Sequence, residues 1–166
     1  MKKALEFEIT HRLPDTLARA GVITTPHGTI ETPAFIVGGT KATVKALTPE
    51  QVTDLGGQSI LANTYHLMLR PGMEVMRQAG GLHKFMNWRR NILTDSGGFQ
   101  MVSLSKFCEM SEEGVTFQHP STGELLKLQP EDSIKAQNKI GSDIMMALDD
   151  VVKTTTEGPR MAEACE

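Results

Sequence analysis

The first 33 residues carry an alternating pattern of polar and apolar side chains. Residues 6–10 alternate, and the stretch 18–37 contains two further strand-like runs, which are separated by Pro26-His27-Gly28. Alternation with a period of two is typical of a half-buried strand, and a short break with proline and glycine is typical of a hairpin turn. The pattern therefore predicts an antiparallel β element over residues 1–33.

From residue 34 onwards, short apolar runs alternate with segments of helical character. Four apolar runs, each followed by polar residues, are predicted as strands: Ala34–Val37, Ser59–Ala62, Asn91–Thr94 and Asp143–Leu148. Strands that alternate with helices favour a parallel sheet with helices on its faces. The prediction is an α/β fold in which residues 34–166 form the first half, about four strands, of a (β/α)8 barrel.

An open, doubly wound parallel sheet is the competing fold. Sheets of that kind commonly bind dinucleotides through a GxGxxG turn after the first strand. No GxGxxG follows the first apolar run of this chain. The barrel is therefore preferred, and in a barrel the carboxyl ends of the strands form the active face.

Three helices are predicted from their end signals. Thr48 can cap a helix that has Pro49 at its first position and Gln51 three residues after the cap, which is a capping box. A second helix begins near residue 71, and a third covers residues 130–140. Glycines end the three helices, at Gly56-Gly57, Gly80-Gly81 and Gly141.

Two further segments complete the predicted elements. Gly114–Gln118 and Leu125–Leu128 are predicted to form an inserted hairpin, and Gly158-Pro159-Arg160 starts a last helix of barely two turns. Half a barrel would expose two unpaired strand edges and an unfinished core. We therefore expect residues 1–166 to form a single incomplete domain, that of a fragment or truncated product.

The segment Asn91–Gln100, NILTDSGGFQ, carries the most specific chemical pattern. Its apolar run ends in Asp95 and Ser96, and Gly97-Gly98 and Phe99 follow. Paired glycines let the backbone approach a ligand closely, because residues without Cβ tolerate positive φ and near contact. A carboxylate, two glycines and a ring are typical of a pocket for a flat heterocycle. The alternative is an ordinary turn between a strand and a helix, in which the aspartate or the serine is the helix N-cap.

A second carboxylate, Asp149, follows the fourth apolar run as Asp95 follows the third. At one edge of a sheet, two such groups can divide the work, because one transfers protons while the other accepts hydrogen bonds from a substrate. Alternatively, one of these carboxylates caps a helix and the other is exposed to solvent in a loop. Asn63, one strand earlier, can bind a ribose hydroxyl or organise its turn. Phe99 can stack on a base, although an isolated aromatic is usually part of a core.

Composition narrows the classes of function. The 166 residues are 39% hydrophobic and 22% charged, which are values typical of globular proteins. The net charge is −3 and there is no basic run, so nucleic-acid binding would need a local patch.

Cys108 and Cys165 favour a reducing compartment, and the five histidines lack zinc-ligand spacing. No long apolar segment is present, and we expect a soluble intracellular protein.

Several motifs together resemble one family, the tRNA-guanine transglycosylases. The strings LTDSGGFQMVSLS, NTYHLMLRPG, GLHKFMNW, GSDIMMALDDVV and TTTEGPR occur in the family's order, and the similarity begins at about Ala18. GGFQMVSL and LDDVV resemble more narrowly the catalytic subunit of the eukaryotic queuine tRNA-ribosyltransferases. Bacterial relatives usually have a cysteine where Val151 stands.

The resemblance implies a modified (β/α)8 barrel and a pentosyltransferase. The family exchanges guanine for queuine at the wobble position of tRNAs with GUN anticodons, which are those for aspartate, asparagine, histidine and tyrosine. The exchange is a double displacement, in which a separate aspartate attacks C1′ and holds the RNA covalently. Cleavage at a purine needs protonation of the leaving base and a nucleotide pulled from its stack.

Carried over residue by residue, the resemblance assigns roles at the predicted edge. Asp95 matches the general acid/base, Phe99 the ring that stacks on the heterocycle, Asp149 the carboxylate that reads the Watson–Crick edge, and Asn63 a ribose contact. The implied binding residues are Asn63, Asp95, Ser96, Gly97, Gly98, Phe99 and Asp149.

Two positions depart from the family's pattern. Val37-Gly38 stands where the family usually has Pro-Val, and the missing branched side chain at Gly38 is expected to loosen the ribose pocket. Gln129 stands where a serine usually caps the helix before Pro130, and glutamine is a weaker cap.

The resemblance locates other parts of the site beyond residue 166. These are the nucleophile, a second base-recognition loop, the main tRNA-binding segment and a cysteine/histidine zinc site. We therefore expect zinc in the full-length family, no metal ligand in this chain, and no base exchange by this chain alone. The implied partners are tRNA, the queuine or guanine base, and an accessory non-catalytic paralogous subunit. The implied location is the cytoplasm, with association with the mitochondrial outer membrane.

Two alternatives stay open on the sequence alone. One is a non-catalytic truncated isoform or a regulatory, tRNA-binding subunit of the same family, although Asp95 and DSGGF argue against the paralogous subunit, which lacks the catalytic residues. The other is an unrelated barrel glycosidase that uses Asp95 and Asp149 as its carboxylate pair, a pair that such hydrolases hold roughly 5–9 Å apart.

Overall fold

An antiparallel sheet of three strands begins the chain. In the computed structural model, which describes residues 5–104, 107–152 and 155–164, the strands are Glu6–Arg12 (β1), Arg19–Thr25 (β2) and Gly28–Thr32 (β3). They pair in the order β1-β2-β3, and the short turn between β2 and β3 contains His27. The strands therefore lie where the alternation of polar and apolar residues predicts them.

A second sheet contains four parallel strands. They are Val37–Gly38 (β4), Ser59–Asn63 (β5), Asn91–Asp95 (β6) and, as the last strand of the chain, Ile144–Met145 (β10), in the order β10-β6-β5-β4. The register pairs Ser59 with Asn91 and Asn63 with Asp95. We call the end at Asn63 and Asp95 the carboxyl edge, and the end at Ser59 and Asn91 the amino edge.

A third sheet is inserted between β6 and β10. Gly114–Gln118 (β8) and Leu125–Leu128 (β9) pair antiparallel, and Cys108–Ser111 (β7) pairs with the other side of β8. The strand β7 is absent from the sequence prediction, because its four residues, CEMS, are too few to establish an alternating pattern. The insertion is therefore a three-stranded sheet where the sequence suggests a hairpin.

The helices of the described residues follow the strands along the chain. They are Pro49–Asp54 (α1), Thr64–Leu69 (α2), Met73–Ala79 (α3), Leu82–Phe85 (α4), Gly98–Leu104 (α5), Pro130–Ile140 (α6) and Arg160–Glu163 (α7). The predicted capping box of α1 is present, because Thr48 and Gln51 exchange side-chain and backbone hydrogen bonds. Gly141 ends α6 with a φ of +78°. None of the described helices is long and apolar enough to cross a membrane.

Two hydrophobic clusters hold these elements together. The first lies between the parallel sheet and its helices, and includes Ile60, Ile92 and the buried ring of Trp88. The second joins α2 and α5 to the inserted sheet, with Tyr65 and Phe117 5.6 Å apart between ring centroids. The second cluster therefore packs the insertion against the helices that follow the carboxyl edge.

Two predicted strands are shorter than the apolar runs suggest, and this part of the prediction is wrong. The run Ala34–Val37 contributes only its last residue to β4, and Phe35 is 84% exposed. In the run Asp143–Leu148, the strand covers only Ile144–Met145. The N–H of Met146 still donates to the carbonyl of Thr94 at 3.1 Å, and the buried Gln137 side chain binds both the N–H and the C=O of Met146. Asp149 therefore lies in a loop and does not close a strand.

The helix α2 is a further element that sequence patterns did not indicate. It begins directly after β5, with Asn63 as its N-cap. Because one residue both ends the strand and caps the helix, no loop separates the two elements and no polar stretch marks the boundary. The sharp turn at this point fixes the orientation of the Asn63 side chain.

Candidate active site

The first feature of the carboxyl edge is a hydrogen bond between the ends of two neighbouring strands. The amide nitrogen of Asn63 donates to Oδ2 of Asp95 at 2.9 Å, and the amide oxygen accepts from the N–H of His66 at 3.2 Å. Since the oxygen of the amide serves the helix cap, its NH₂ group must face the carboxylate. Asn63 is 5% exposed. The asparagine therefore orients Asp95 through a side chain that is itself held in place.

The second carboxylate, Asp149, reaches the same turn from the loop after β10. The hydroxyl of Ser96 donates to Oδ1 of Asp149 at 2.7 Å. Ser96 is 1% exposed and directly follows Asp95 in the chain. The two candidate carboxylates are thus held at one edge by adjacent or paired residues, although they come from different segments.

The glycine pair after Ser96 is required by close contacts. Gly97 has a φ of +90°, and a Cβ built on it would lie 2.6 Å from Cβ of Tyr65. A Cβ on Gly98 would lie 2.2 Å from Oδ1 and 2.8 Å from the backbone oxygen of Asp149. Gly98 therefore admits the loop that carries the second carboxylate, and Gly97 admits the turn itself.

The helix-cap interpretation of this segment also has structural support. The N–H of Gly98, the first residue of α5, donates to the hydroxyl of Ser96 at 3.2 Å. The serine hydroxyl thus accepts at the helix start and donates to Asp149. The Ser96 hydroxyl can therefore cap α5 and hold Asp149 at the same time, because a hydroxyl has one donor and two acceptor positions.

Phe99 and Asp149 are accessible from solvent. Phe99 lies in the first turn of α5 and is 55% exposed, so the alternative that its ring belongs to the core is wrong. Asp149 is exposed and Asp95 is half-buried. A ring and two carboxylates are therefore available at the carboxyl edge, while the groups that support them are buried.

The loop after β4 borders the same edge. Gly39 donates its N–H to the carbonyl of Leu61 at 2.8 Å, and the N–H of Asn63 donates to the carbonyl of Thr40 at 3.3 Å. A Cβ built at Gly38 meets no atom within 4 Å. A larger side chain at this position would therefore meet no steric obstacle at its Cβ.

The segments at this edge also carry several buried polar atoms without a hydrogen-bond partner among the described residues. They are the hydroxyls of Thr64 and Tyr65, Oε1 of Gln100 and Oδ1 of Asp150. Buried polar atoms in folded proteins are usually hydrogen-bonded, either to protein groups or to ordered water. Burial raises the pKa of Tyr65, so its phenol stays protonated.

Two supporting contacts were not found from the sequence. They are the hydrogen bond from Ser96 to Asp149 and an ion pair between Asp150 and Arg160. The cap at Asn63 is the turn-organising role that the sequence predicts as one alternative. Burial, and then the charge of Lys41, lower the pKa of His66, whose backbone the cap binds. The two missed contacts join residues whose separation in sequence follows no local pattern.

The chain is similar to one family over nearly its whole length. The sequence profile described as queuine tRNA-ribosyltransferase matches residues 15–166. The queuine tRNA-ribosyltransferase catalytic subunit of Schizosaccharomyces pombe is 54% identical over 161 residues, which cover 97% of this chain and 40% of that protein.

Two bacterial relatives are similar to the same degree. The queuine tRNA-ribosyltransferase of Lysinibacillus sphaericus is 54% identical, covering 89% of this chain and 39% of the relative. That of Moorella thermoacetica is 52% identical, covering 98% and 44%. The chain thus spans about two fifths of the length of these curated relatives. Its profile match and these identities show that the chain belongs to the queuine tRNA-ribosyltransferase family, the tRNA-guanine transglycosylases.

Proposed function

We propose that this chain supplies the base-binding and proton-transferring part of a queuine tRNA-ribosyltransferase active site. The whole enzyme would exchange guanine for queuine at the wobble position of tRNAs with GUN anticodons. The observation that carries the proposal is the arrangement of two carboxylates around one glycine turn. Asn63 holds Asp95, and Ser96 holds Asp149 at 2.7 Å.

The parallel sheet is proposed to be the first half of a (β/α)8 barrel. Its strand order β10-β6-β5-β4 follows the chain from one side of the sheet to the other, as consecutive strands of a barrel do. In such barrels the active site lies at the carboxyl ends of the strands. The position of Asp95 at the end of β6 agrees with this rule.

Asp95 is proposed to be the general acid and base. In the first displacement, a nucleophilic aspartate outside this chain forms a bond to C1′ of the ribose, and the bond to guanine breaks as Asp95 gives a proton to the leaving base. In the second, Asp95 takes a proton from the incoming base, whose nitrogen attacks C1′ and displaces the aspartate. The proton count on Asp95 is unchanged over the cycle.

Asp149 and Phe99 are proposed to bind the base. The exposed carboxylate of Asp149 would accept hydrogen bonds from N–H groups on the Watson–Crick edge of guanine, while the Phe99 ring stacks on its face. Ser96, Gly97 and Gly98 would form the wall of this pocket. Their small side chains support the assignment, since a Cβ at either glycine would displace Asp149 or Tyr65.

Asn63 is proposed to have two roles. Its NH₂ group has two hydrogens, and only one is used by Asp95. The second can donate to a ribose hydroxyl, as the resemblance to the family implies. The first keeps Asp95 oriented toward the base.

The partners and location of the whole protein are also proposals. We propose that it acts on tRNA together with a paralogous non-catalytic subunit, since the fission yeast relative is named a catalytic subunit. We propose further that it is cytoplasmic and associates with the mitochondrial outer membrane. We propose also that the whole protein binds zinc through cysteine and histidine ligands outside this chain.

The proposal is tested with a chimera in which this chain is joined to the carboxyl-terminal part of the fission yeast relative. The chimera should incorporate labelled guanine into tRNA, and this chain alone should incorporate none above a blank without enzyme. Asp95→Asn should lower exchange by about 10²–10⁴-fold, the usual contribution of a general acid/base. The matched control is Asp54→Asn, an exposed aspartate on α1. Full exchange with Asp95→Asn would refute the assigned role.

A further inference from the structure

Three metal-capable side chains meet at the amino edge of the parallel sheet, far from Asp95. They are His27 in the turn between β2 and β3, His83 on α4, and Asp143 just before β10. One nitrogen of each imidazole and one carboxylate oxygen all lie within 4.8 Å of one another. We call these residues the amino-edge triad.

The carboxylate at the centre of the amino-edge triad is nearly inaccessible. The side chain of Asp143 is 2% exposed, and its Oδ2 accepts the N–H of Ile92 at 2.9 Å. Burial alone raises the pKa of Asp143, but the hydrogen bonds from His83, His27 and Ile92 outweigh it, so the pKa lies below its ordinary value. A buried, ionised carboxylate that a backbone N–H orients is a common element of metal sites.

Among the described residues, the N–H groups around the amino-edge triad are too few to pair with every acceptor oxygen near them. Nδ1 of His27 lies 2.6 Å from Oδ1 of Asp143, a distance that fits one hydrogen bond. Nε2 of His83 faces two oxygens, the carbonyl of Arg90 at 2.9 Å and Oδ2 of Asp143 at 3.4 Å. One ring nitrogen carries only one hydrogen, so it serves only one of these oxygens well.

The donor set matches the preferences of a divalent transition metal. Two imidazole nitrogens and one carboxylate oxygen are the ligands of many three-ligand zinc sites, whereas Mg²⁺ and Ca²⁺ prefer oxygen alone. His83 and Asp143 are mostly buried, while the His27 side chain is 40% exposed and offers the route of entry. The three ligands come from segments that are distant in sequence, which explains why no ligand spacing is visible there.

The two imidazoles are stacked, with ring centroids 3.8 Å apart and planes 19° from parallel. A metal must lie in the plane of each ring that binds it, so both rings cannot bind one ion while stacked. The exposed His27 ring is the one with room to turn about its Cβ–Cγ bond. Metal binding would therefore require the His27 ring to leave the stack. The metal would then take the place of the hydrogen between His27 and Asp143.

We propose that His27, His83 and Asp143 form a binding site for a divalent transition metal, best fitted by Zn²⁺, at the amino edge. The ion would tie the first antiparallel sheet to α4 and to the start of β6 and β10. This site uses none of the cysteine ligands that the family resemblance implies, and it is independent of the base-exchange chemistry proposed above.

The proposal is tested by titrating the metal-free full chain with ZnCl₂ in a calorimeter. We expect one Zn²⁺ per chain, protons released on binding, and a melting temperature raised by zinc. His27→Ala lies in a surface turn and should weaken binding at least about tenfold, since it removes one of three ligands. The matched control is His11→Ala, an exposed histidine of β1, which should bind as the unaltered chain does.

Two outcomes would overturn the proposal. One is that the chain binds no Zn²⁺ with unit stoichiometry, and the other is that His27→Ala binds it unchanged. Either would mean that the amino-edge triad is held by hydrogen bonds alone. Co²⁺ provides a second readout, because its visible absorption reports a site with nitrogen and oxygen ligands and should be lost with His27→Ala but kept with His11→Ala.

Discussion

The two edges of the parallel sheet hold their carboxylates in different ways. At the amino edge, Asp143 is 2% exposed and is contacted by two imidazoles and a backbone N–H. At the carboxyl edge, Asp95 has one side-chain donor, Asn63, and the exposed Asp149 has one, Ser96. Among the described residues, several groups surround the first carboxylate, whereas each of the other two accepts from a single side chain. A substrate can compete for the carboxyl edge, whereas the amino edge offers stability or a place for a metal.

The largest effect is expected from adding one methyl group at the carboxyl edge. Gly98→Ala would put a Cβ 2.2 Å from Oδ1 and 2.8 Å from the backbone oxygen of Asp149, so the loop must move. Since a displacement of about 1 Å can cost about 10²-fold in rate, exchange by the chimera should fall at least that much. Ser103→Ala is the control, because it changes an exposed side chain of the same helix, α5, away from Asp149. Equal rates for the two variants would contradict the role of the close contact.

The next effect concerns stability and distinguishes the two edges directly. Asp143→Asn removes charge-assisted hydrogen bonds in a buried site and should cost about 2 kcal/mol of unfolding free energy. Asp149→Asn changes an exposed group and should cost less than about 0.5 kcal/mol. Urea unfolding with a chelator present measures the loss of unfolding free energy in both variants. An equal loss in the two variants, or a larger loss in Asp149→Asn, would contradict the comparison.

The cost of Asp143→Asn should also depend on pH. Because the pKa of Asp143 is lowered in the folded chain, its contribution is complete above the unfolded pKa of about 3.9. It is lost as the pH falls through the lower folded pKa. The difference between the two chains should therefore be present at neutral pH and disappear in acid. A difference that grows in acid would contradict this sign.

A smaller effect is expected from the serine that supports Asp149. Ser96→Ala removes a hydroxyl that donates to Asp149 and accepts from Gly98, and should cost about 1 kcal/mol. The loosened carboxylate should lower exchange by the chimera about tenfold, the rate equivalent of about 1.4 kcal/mol. Ser103→Ala, an exposed serine on the same helix α5, is the control. The same loss in both variants would show that the helix, and not the contact, is responsible.

The smallest effect lies away from both edges. Gln129 makes no side-chain hydrogen bond at the start of α6, so Gln129→Ser should stabilise the chain by about 0.5–1 kcal/mol. Urea unfolding measures this gain, and base exchange by the chimera should stay unchanged. An unchanged free energy of unfolding would show that a hydrogen-bonding side chain at this N-cap does not stabilise α6.

Local patterns predicted the elements whose signals are contained in a few consecutive residues. The capping box at Thr48 and Gln51 and the glycine end of α6 at Gly141 are examples, because each is built from neighbours in the chain. The carboxyl edge was also predictable in outline, since Asp95 ends an apolar run. What could be found from the sequence is therefore what a short segment determines by itself.

Contacts between distant segments limited the rest of the prediction. The chain that follows β10 is held by the Gln137 side chain, which binds the backbone of Met146. The amino-edge triad joins His27, His83 and Asp143 across most of the chain. None of these contacts has a periodicity or a spacing that a single sequence reveals.

The most direct test of the proposed site separates binding from proton transfer in the chimera. The inhibition constant for free guanine and the turnover number are measured for Asp95→Asn and Asp149→Asn. We predict that Asp149→Asn weakens guanine binding by about 10–100-fold, the value of a hydrogen bond to a charged group. Asp95→Asn should bind guanine nearly unchanged and lose turnover. If both variants lower affinity and turnover to the same extent, the two carboxylates do not have the separate roles proposed.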